Sequence, residues 1–226
     1  MRREKTSVSQ EDYLKAIWEI VQEEQVPISA RLAEDLGVTP PAVTAALKRM
    51  TRSGYLHTRR DGRIELSAKG KEVAEQLVLR HRLAEKLLTD VIGLEWSRAH
   101  EEAERLEHGI SAEVASLLLA RFGRDSRCPH GVPLFGGLRR LRRNFAAVKL
   151  SDAAVGGSYE VLRVYEKDPK FLKFLSNLHL RPGARLHLHS REYDETTALS
   201  VNGHSPSRIH LGKPATQRIW VRRISS

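Results

Sequence analysis

Two short helical segments around a tight turn are the feature that most constrains the fold of this chain. The first segment, A-R-L-A-E-D-L, follows Ser29, which we expect to cap it, and ends at Gly37. The turn V-T-P-P then leads into a second segment, A-V-T-A-A-L-K-R-M-T-R-S, that runs to Gly54. Two short helices joined by a turn that contains Gly predict a helix-turn-helix, and the second helix would be its recognition helix.

A basic β-hairpin is predicted directly after the second helix. The stretch Y-L-H-T-R-R-D-G-R-I-E-L places Asp61-Gly62 between two short alternating runs, which is a strong hairpin signal. A helix-turn-helix followed by a basic hairpin predicts a winged helix that binds DNA, although the arginines alone would also fit a solvated turn. Small residues at the start of the recognition helix suit a major groove, and the basic residues suit phosphates. The predicted DNA contacts are Thr39, Pro41, Ala42, Thr44, Lys48, Arg49, Arg52, Arg59, Arg60 and Arg63.

The composition agrees with a polyanionic partner inside the cell. The 226 residues include 38 Lys and Arg against 28 Asp and Glu, for a formal charge of +10, and nucleic acid is the usual partner of such a basic chain. The single cysteine, Cys128, excludes an internal disulfide framework and fits a reducing cytoplasm. The charged N-terminus lacks the apolar core of a signal peptide. No apolar stretch is long enough to span a bilayer, so we expect no membrane partner.

Imidazoles and carboxylates recur at helical spacing between residues 80 and 108. His81 and Glu85 would stand one turn apart on one helix face. The next helix would carry four more such residues on one face: His100, Glu104, Glu107 and His108. Because a break at Gly93 lets the two helices fold back on each other, we expect the faces to meet, with no thiolate among the ligands. Such a set suits divalent manganese, iron or zinc; a solvated face with i,i+4 ion pairs is the alternative.

The rest of the first 157 residues is predicted to be helical and then irregular. Ser7 or Ser9 would cap a first amphipathic helix over 9–25, and Ser67 would cap a long helix that ends at Ile92. Ser111 would cap another helix, whose apolar run suits either a core or a second subunit. Residues 123–157 contain the turn-rich C-P-H-G-V-P and the run R-R-L-R-R, and they predict a linker. The arginine run would be solvated chain or an extra contact with DNA.

From Ser158 onward the pattern changes to β. Four stretches alternate, namely Y-E-V-L-R-V-Y, A-R-L-H-L-H-S, A-L-S-V-N-G and R-I-W-V-R-R-I, with turns at Pro182-Gly183 and Asn202-Gly203. Residues 168–178 predict one short helix. Several short strands in so few residues indicate a small barrel. Four histidines are expected on strand faces at the surface and not in a second metal site: His187, His189, His204 and His210.

With these motifs the chain resembles the diphtheria toxin repressor family of metal-dependent transcription regulators. The resemblance covers nearly the whole chain and rests on S-Q-E-D-Y-L-K-A-I, R-H-R-L-A-E-K-L-L, H-E-E-A-E-R-L-E-H and C-P-H-G-V-P. It implies a mainly α fold with a small β domain. The expected parts are an N-terminal winged helix-turn-helix over 1–73, a helical metal-binding and dimerisation domain over 74–145 and, after a flexible linker, an SH3-like barrel of the FeoA type over 146–226.

The resemblance also implies two metal sites. The primary ligands would be Asp12, Glu104, Glu107 and His108, and the ancillary ligands would be His81, Glu85 and His100. Iron-type members of the family carry a sulfur ligand at the position of Glu104, and the best-known one has Met at the position of Asp12. Because both positions hold oxygen ligands here, manganese(II), Mn2+, is the expected metal, and iron(II), Fe2+, is the alternative.

This chain departs from the family pattern at two places. Lys15 stands where short manganese regulators have an acidic ligand, which argues against a closely coupled pair of metals like theirs. In the SH3-like domain, Lys167 and Lys170 stand near the positions of the iron-type ancillary ligands. We therefore expect either Glu166 or Asp168 to complete the ancillary site.

Taken together, the sequence predicts a manganese(II)-activated repressor of genes for metal-ion homeostasis, and not an enzyme. It would be a cytoplasmic homodimer that binds double-stranded operator DNA. Two other classes remain open at this stage. One is an enzyme with a carboxylate-bridged metal pair, but that needs Glu-x-x-His motifs on two helices, and this chain lacks them. The other is a metal-independent winged-helix regulator that senses an organic ligand.

Overall fold

The N-terminal part of the chain is a winged helix. A computed structural model describes residues 7–201 and 208–224. Ser7 caps the first helix by accepting a hydrogen bond from the Gln10 backbone, and Gly37 ends the second helix in the left-handed conformation. Ser29 is the first residue of the second helix and caps nothing, so that predicted cap is wrong. The elements are α1 (Val8–Gln22), α2 (Ser29–Leu36), α3 (Pro40–Arg52) and the antiparallel hairpin β1 (Leu56–Thr58) and β2 (Ile64–Leu66).

A compact core holds this DNA-reading head together. The apolar stripe of α1 supplies Leu14, Ile17 and Trp18, and the facing helices and hairpin supply Leu32 and Ile64, all of them buried. Burying each such side chain contributes roughly 1.5–3 kcal/mol. The recognition helix α3 packs against α2 and β1 and shares this core with α1, so its position depends on where α1 lies.

A long helix connects the head to the rest of the molecule. Helix α4 (Ala68–Lys86) is capped by Ser67 as predicted and packs against α1 on one side and α5 on the other. Its end loosens into a π-helical turn at Leu87–Val91. Two further helices follow, α5 (Ala99–Leu106) and α6 (Ala112–Phe122). Helix α6 has no buried residue and leaves Leu117 65 % exposed, so this apolar helix is free to pack against another chain.

Residues 123–157 depart from the linker that their turn-rich sequence predicts. The C-P-H-G-V-P motif folds into a tight loop closed by a bridge between Arg127 and Pro133. Helix α7 (Leu138–Phe145) comes next, with Leu138 and Leu141 buried. These two leucines lie three residues apart, on one face of the helix. The surrounding arginines obscure this apolar face in the sequence.

The C-terminal domain is a six-stranded antiparallel sheet. Its strands lie in the spatial order β3 (Val148–Lys149), β8 (Ile219–Ile224), β4 (Ser158–Val164), β5 (Arg185–Arg191), β6 (Thr197–Val201) and β7 (Ile209–Leu211). Its core includes Val161, Leu188, Leu199 and Val221. The four predicted strands and the short helix are confirmed, and two very short edge strands, β3 and β7, were not predicted; Asn202-Gly203 and His204 lie outside the described residues. The domain also contains the helices α8 (Pro169–Asn177) and α9 (Lys213–Thr216).

Within the described ranges, none of the helices combines the length and the apolar character that a membrane crossing requires.

The docking of the C-P-H-G loop on the sheet can be tested at Gly131. Its φ is +90°, and a Cβ added there would lie 1.9 Å from the carbonyl oxygen of Leu162. Gly156 has a similar φ of +76° with open space around it. We expect Gly156→Ala to lower the free energy of unfolding by about 1–2 kcal/mol and Gly131→Ala to lower it by roughly 2–4 kcal/mol, because overpacking adds to the backbone strain. Denaturant unfolding at one protein concentration measures both, and equal decreases would contradict the close approach.

Candidate metal centre

Two clusters of metal-ligating side chains lie where α1, α4 and α5 meet. Helix α4 presents His81 and Glu85 one turn apart, and α5 presents His100 toward them. After Leu106 the chain tightens into a single 3-10 turn, Glu107–Gly109. Glu107 of this turn contacts both His81 and Lys15, whereas its neighbour His108 faces Asp12 of α1.

The ancillary cluster is closed and buried. His81 Nε2 lies 3.1 Å from Glu85 Oε1 and 3.0 Å from His100 Nδ1, and His100 Nδ1 lies 3.2 Å from the same carboxylate oxygen. The three ligand atoms lie within 4.8 Å of one another. Two imidazole nitrogens and a carboxylate that converge in a buried space form a donor set that fits a divalent cation.

The structure adds Cys128 and His130 to this neighbourhood. Glu85 belongs to a second triad with these two residues, whose ligand atoms also lie within 4.8 Å of one another. His130 Nδ1 is 3.0 Å from Glu85 Oε1, yet it is a buried atom without a hydrogen bond, which leaves it available to a cation. The structure therefore places a buried thiol beside Glu85, next to the imidazoles and carboxylates that the spacing predicted to converge. The motif C-P-H-G, which predicts a turn and contributes to the family resemblance, contains both residues, but its local pattern does not point to Glu85.

Electrostatic interactions in this cluster keep the carboxylate ionised and the thiol protonated. Burial alone would raise the pKa of Glu85, but the imidazoles of His130 and His81 outweigh it and hold that pKa well below its usual range. Burial and the carboxylates of Glu85 and Glu166 raise the pKa of the Cys128 thiol well above its usual range. The thiol therefore stays protonated unless a positive charge arrives to stabilise the thiolate.

Of the two acids proposed for the SH3-like domain, the structure brings Glu166 to this cluster. Glu166 shares a cavity with Glu85 and Cys128, and its pKa is lowered because Arg163, His100 and His130 outweigh its burial. Asp168 instead caps α8 at the Phe171 backbone and pairs with Arg218 at 2.8 Å.

The primary cluster joins α1 to the turn after α5. Asp12 Oδ1 lies 2.8 Å from His108 Nε2, and Glu107 Oε1 lies 3.7 Å from the same nitrogen. These three residues offer ligand atoms within 4.8 Å of one another. Glu11 Oε2 lies 2.9 Å from His108 Nδ1 and so orients the imidazole, as carboxylates commonly do for metal-binding histidines.

Glu104 stands apart from the other predicted primary ligands. Its side chain is 55 % exposed, and its carboxylate lies 3.6 Å from His100 Nε2. It lines the same cleft as Asp12 and Glu107 without joining their cluster. It therefore lies at the mouth of the cleft, between the two sets of ligands.

Lys15 connects the two clusters. Its Nζ donates to both oxygens of Glu107, at 2.9 and 2.7 Å, and lies 3.1 Å from His81 Nδ1. Burial alone would lower the pKa of Lys15, but Glu19 and Glu107 outweigh it and raise that pKa. A fixed ammonium group thus occupies the position where short manganese regulators have an acid.

All ten predicted DNA contacts are exposed on the head. Arg59 donates to Glu65 at 2.8 Å, and Arg63 pairs with Asp61 at 3.2 Å. Arg60, at the wing tip, has no ion pair with any residue that the structure describes. A recognition helix and a basic wing are thus presented together on the surface.

Family models match almost the whole chain. The N-terminal DNA binding domain of the iron dependent repressors matches residues 5–63, and their metal binding and dimerisation domain matches residues 67–136. A FeoA domain matches residues 148–223. The diphtheria toxin repressor of Corynebacterium efficiens is 34 % identical over 185 residues, which cover 78 % of this chain and 80 % of that protein.

This chain belongs to the diphtheria toxin repressor family. It is a metal-dependent transcriptional repressor, and its fold of winged helix, dimerisation domain and FeoA domain is that of the family. Repressors named for iron and for manganese are both similar to it. The iron-dependent repressor IdeR of Mycobacterium tuberculosis is 40 % identical over 126 residues, or 56 % of this chain and 55 % of that protein.

Solved structures of the family have the same architecture. A manganese-dependent transcriptional repressor in complex with manganese superposes with a TM-score of 0.83 at 28 % identity, covering 95 % of this chain and 100 % of that one. T. acidophilum IdeR superposes with a TM-score of 0.74 at 28 % identity, covering 98 % of this chain and 100 % of that one. The overall fold therefore does not distinguish the two metals, and the choice depends on the ligands of this repressor.

Proton release should reveal the role of His81 in this repressor. Burial and Lys15 lower its pKa, but the carboxylates of Glu85 and Glu107 outweigh them and raise it to about 9. In the metal-free protein this protonated imidazole stabilises the fold below its unfolded pKa of about 6.5, and that contribution disappears as pH rises through about 9. A ligating imidazole must first lose the proton.

We therefore expect metal affinity at the ancillary set to rise with pH until His81 has lost its proton. Near neutral pH, the His81→Gln variant should release about one proton fewer than the parent protein for each metal ion that it binds. Calorimetric titration in two buffers of different ionisation enthalpy measures this number. His189→Gln, on strand β5 and outside both clusters, is the control; if both variants release as many protons as the parent, His81 is not a ligand.

Proposed function

We propose that this repressor is activated by manganese(II), binds operator DNA as a homodimer and controls genes for metal-ion homeostasis. The observation that carries the proposal is the primary cluster, in which Asp12 on α1 meets Glu107 and His108 beyond α5. Two carboxylates and one imidazole are hard or borderline donors. Among manganese, iron and zinc, manganese gains least from a sulfur ligand. The thiol of Cys128 lies in the other cluster and does not compete for this site.

Glu104 is proposed as a further primary ligand, in keeping with the family motif. Its carboxylate lies at the mouth of the same cleft, so a rotation of this exposed side chain would add a third oxygen donor. The ancillary ion would be held by His81, Glu85 and His100. Cys128, His130 and Glu166 surround the same carboxylate of Glu85 and would complete that site. Iron(II) remains the alternative metal, because a softer ligand such as Cys128 suits it better.

The primary cluster explains how metal would control DNA binding. Asp12 belongs to α1 and therefore moves with the DNA-reading head, whereas Glu107 and His108 belong to the part that carries α6. Asp12, Glu107 and His108 would hold a divalent ion, which would add positive charge between the two carboxylates. Asp12 would then hold the head in one orientation relative to the dimer body. A symmetric dimer must present its recognition helices about 34 Å apart, so restricting the head removes an ordering cost from DNA binding.

Metal and DNA should therefore bind cooperatively. A coupling of this kind is typically about 1–3 kcal/mol, and by linkage DNA must tighten metal binding by the same factor. The exposed apolar surface of α6, including Val114 and Leu117, is the proposed dimer contact.

The proposal is tested with a duplex selected from a random library in the presence of manganese(II). Binding to that duplex is measured by fluorescence anisotropy with chelator, manganese(II), iron(II) without oxygen, or zinc(II). We expect the strongest stimulation by manganese(II). Stimulation by iron(II) above manganese(II) would favour the alternative metal, and equal binding with chelator would indicate a metal-independent regulator.

Removal of Asp12 should uncouple the two activities. We expect Asp12→Ala to keep its dimeric mass and to lose most of the metal-stimulated affinity, about 5- to 150-fold for the coupling given above. Glu34→Ala, which removes an exposed carboxylate from α2, is the matched control and should respond like the parent. If Asp12→Ala responds to manganese(II) as strongly as this control, the tie between head and body is not made by Asp12.

Arg60 should contribute binding without sequence preference. Because it lies at the wing tip with no acidic partner in the described residues, we expect it to neutralise one phosphate. Arg60→Ala should reduce affinity for selected and unrelated duplexes alike and should reduce the slope of log K against log salt by about 0.9. An unchanged slope for Arg60→Ala and also for Arg59→Ala and Arg63→Ala would remove the wing from the interface.

A further inference from the structure

The positive charge of this chain is not concentrated in its DNA-reading head. Residues 1–66 hold 11 Lys and Arg against 10 Asp and Glu, a formal charge of only +1, and residues 67–123 have a charge of −2. Residues 124–226 hold 19 Lys and Arg against 8 Asp and Glu, a charge of +11. The basic character of the chain therefore comes from the region beyond the winged helix, and it calls for a partner there.

Helix α7 presents part of this charge on a fixed support. Its sequence is L-R-R-L-R-R-N-F, and Leu138 and Leu141 are 3 % and 0 % exposed. Leu141 packs against Ala147 and Leu162 at the base of the sheet. With its apolar face held in place, the helix leaves Arg142 and Arg143 exposed to solvent.

Neighbouring arginines extend the basic surface, and acids only partly balance it. Arg127 stacks over the ring of Phe145 at 4.2 Å, and Arg222 lies 5.9 Å from the same ring. Burial and the charge of Arg222 lower the pKa of Arg127. Among the described residues, three carboxylates pair with this group: Glu24 with Arg142, Asp125 with Arg140, and Glu160 with Arg222. Five arginines thus face three acids: Arg127, Arg140, Arg142, Arg143 and Arg222.

This surface is continuous with the wing. Gly137, just before α7, lies against Gln22, the last residue of α1. Arg142 of α7 pairs with Glu24, two residues after the end of α1. Glu24 in turn lines a surface cleft together with Arg63 of the wing and Lys71 of α4. Residues of α3 are absent from the lining of that cleft. A cleft that holds Arg63 and Lys71 as well as Glu24 and Glu65 therefore connects α7 to the wing, on a side that the recognition helix does not line.

We propose that α7 and the adjoining arginines form a second DNA-binding surface, which contacts phosphates of the duplex beyond the wing. The inference rests on the proposed function, since it assumes that the head is seated on DNA. A duplex carries one negative charge for about every 1.7 Å of its axis, so a fixed arginine surface beside the wing meets phosphates wherever the duplex continues. Such contacts add affinity and fix the position of the protein along the duplex, but they do not read its sequence.

The test compares two double variants that remove the same charge. Arg142→Gln/Arg143→Gln removes an ion-paired and a second exposed cation from α7. Lys213→Gln/Arg208→Gln removes an ion-paired and a second exposed cation beside β7. Strand β7 lies at one edge of the sheet, and β3, the strand that follows α7, lies at the opposite edge. All four side chains are exposed, and thermal unfolding checks that both proteins fold.

Affinity is measured for the duplex selected with manganese(II), here the long duplex, and for the same duplex trimmed to the region that the α7 variant still protects. On the long duplex we expect the α7 variant to bind more weakly and to reduce the salt slope by about 0.9 for each phosphate that it no longer neutralises. On the trimmed duplex it should bind like the parent. The β7 variant should match the parent on both. Glu24→Gln, which frees Arg142 and removes a negative charge, should strengthen binding to the long duplex.

Equal effects of the two double variants, or an α7 effect that is the same on both duplexes, would overturn the proposal. The metal response separates this failure from a failure of the proposed function. If the parent binds DNA only with metal and the α7 variant behaves like the β7 variant, only the second surface is wrong. If the parent shows no metal response, the proposed function is wrong, whatever the variants do.

Discussion

The buried carboxylates of Glu85 and Glu107 are the constraint on which the rest of this structure depends. Each is only 1 % exposed, and a buried carboxylate is costly unless cations and hydrogen-bond donors surround it. Glu107 is satisfied by Lys15 of α1 and His81 of α4, whereas Glu85 contacts His81 and His100 and lies beside the imidazole of His130. The head, the dimerisation domain and the C-P-H-G loop therefore meet at one point, because these two charges need partners from all of them.

The SH3-like domain is attached to the same centre by ion pairs of its own. Lys167 Nζ lies 2.9 Å from Glu19 of α1 and 2.8 Å from Asp35 of α2. Their carboxylates outweigh burial and raise the pKa of Lys167. Arg163 pairs with Glu23 and also with Glu166, beside the ancillary cluster. The position aligned with an iron-type ligand thus holds a lysine that packs the C-terminal domain against the DNA-reading head.

This arrangement gives the two metal sites different structural tasks. The primary cluster joins the head to the body and is partly open to solvent at Asp12, so an ion bound there would act on the orientation of the head. The ancillary cluster is closed by α4, α5, the C-P-H-G loop and Glu166, so an ion there would strengthen a junction that already exists. Lys15 lies between the two and interacts with one residue from each. One chain of contacts, from Glu107 through Lys15 to His81, therefore links the two clusters.

The sequence by itself determined the elements whose signals are local. The helix-turn-helix, the D-G hairpin, four β-strands and the caps at Ser67 and Ser111 follow from periodicity and turn chemistry within a few residues. The closeness of His81 and Glu85 also follows, because four residues on an α-helix always make one turn. The family resemblance rested on such local motifs, and it identified the fold and metal dependence correctly.

Only the tertiary structure decided which side chains share a cluster. The exposed side chain of Glu104 turns toward His100 Nε2 and not toward Glu107 and His108, and helical spacing alone does not fix such a side-chain orientation. Cys128 and His130 join Glu85 across 43 and 45 residues of chain, which no local pattern encodes. The sequence did not predict helix α7 for a related reason. Its two leucines become buried only when the helix packs against the sheet. Contacts between distant segments depend on how whole elements pack, and that packing is a property of the folded chain.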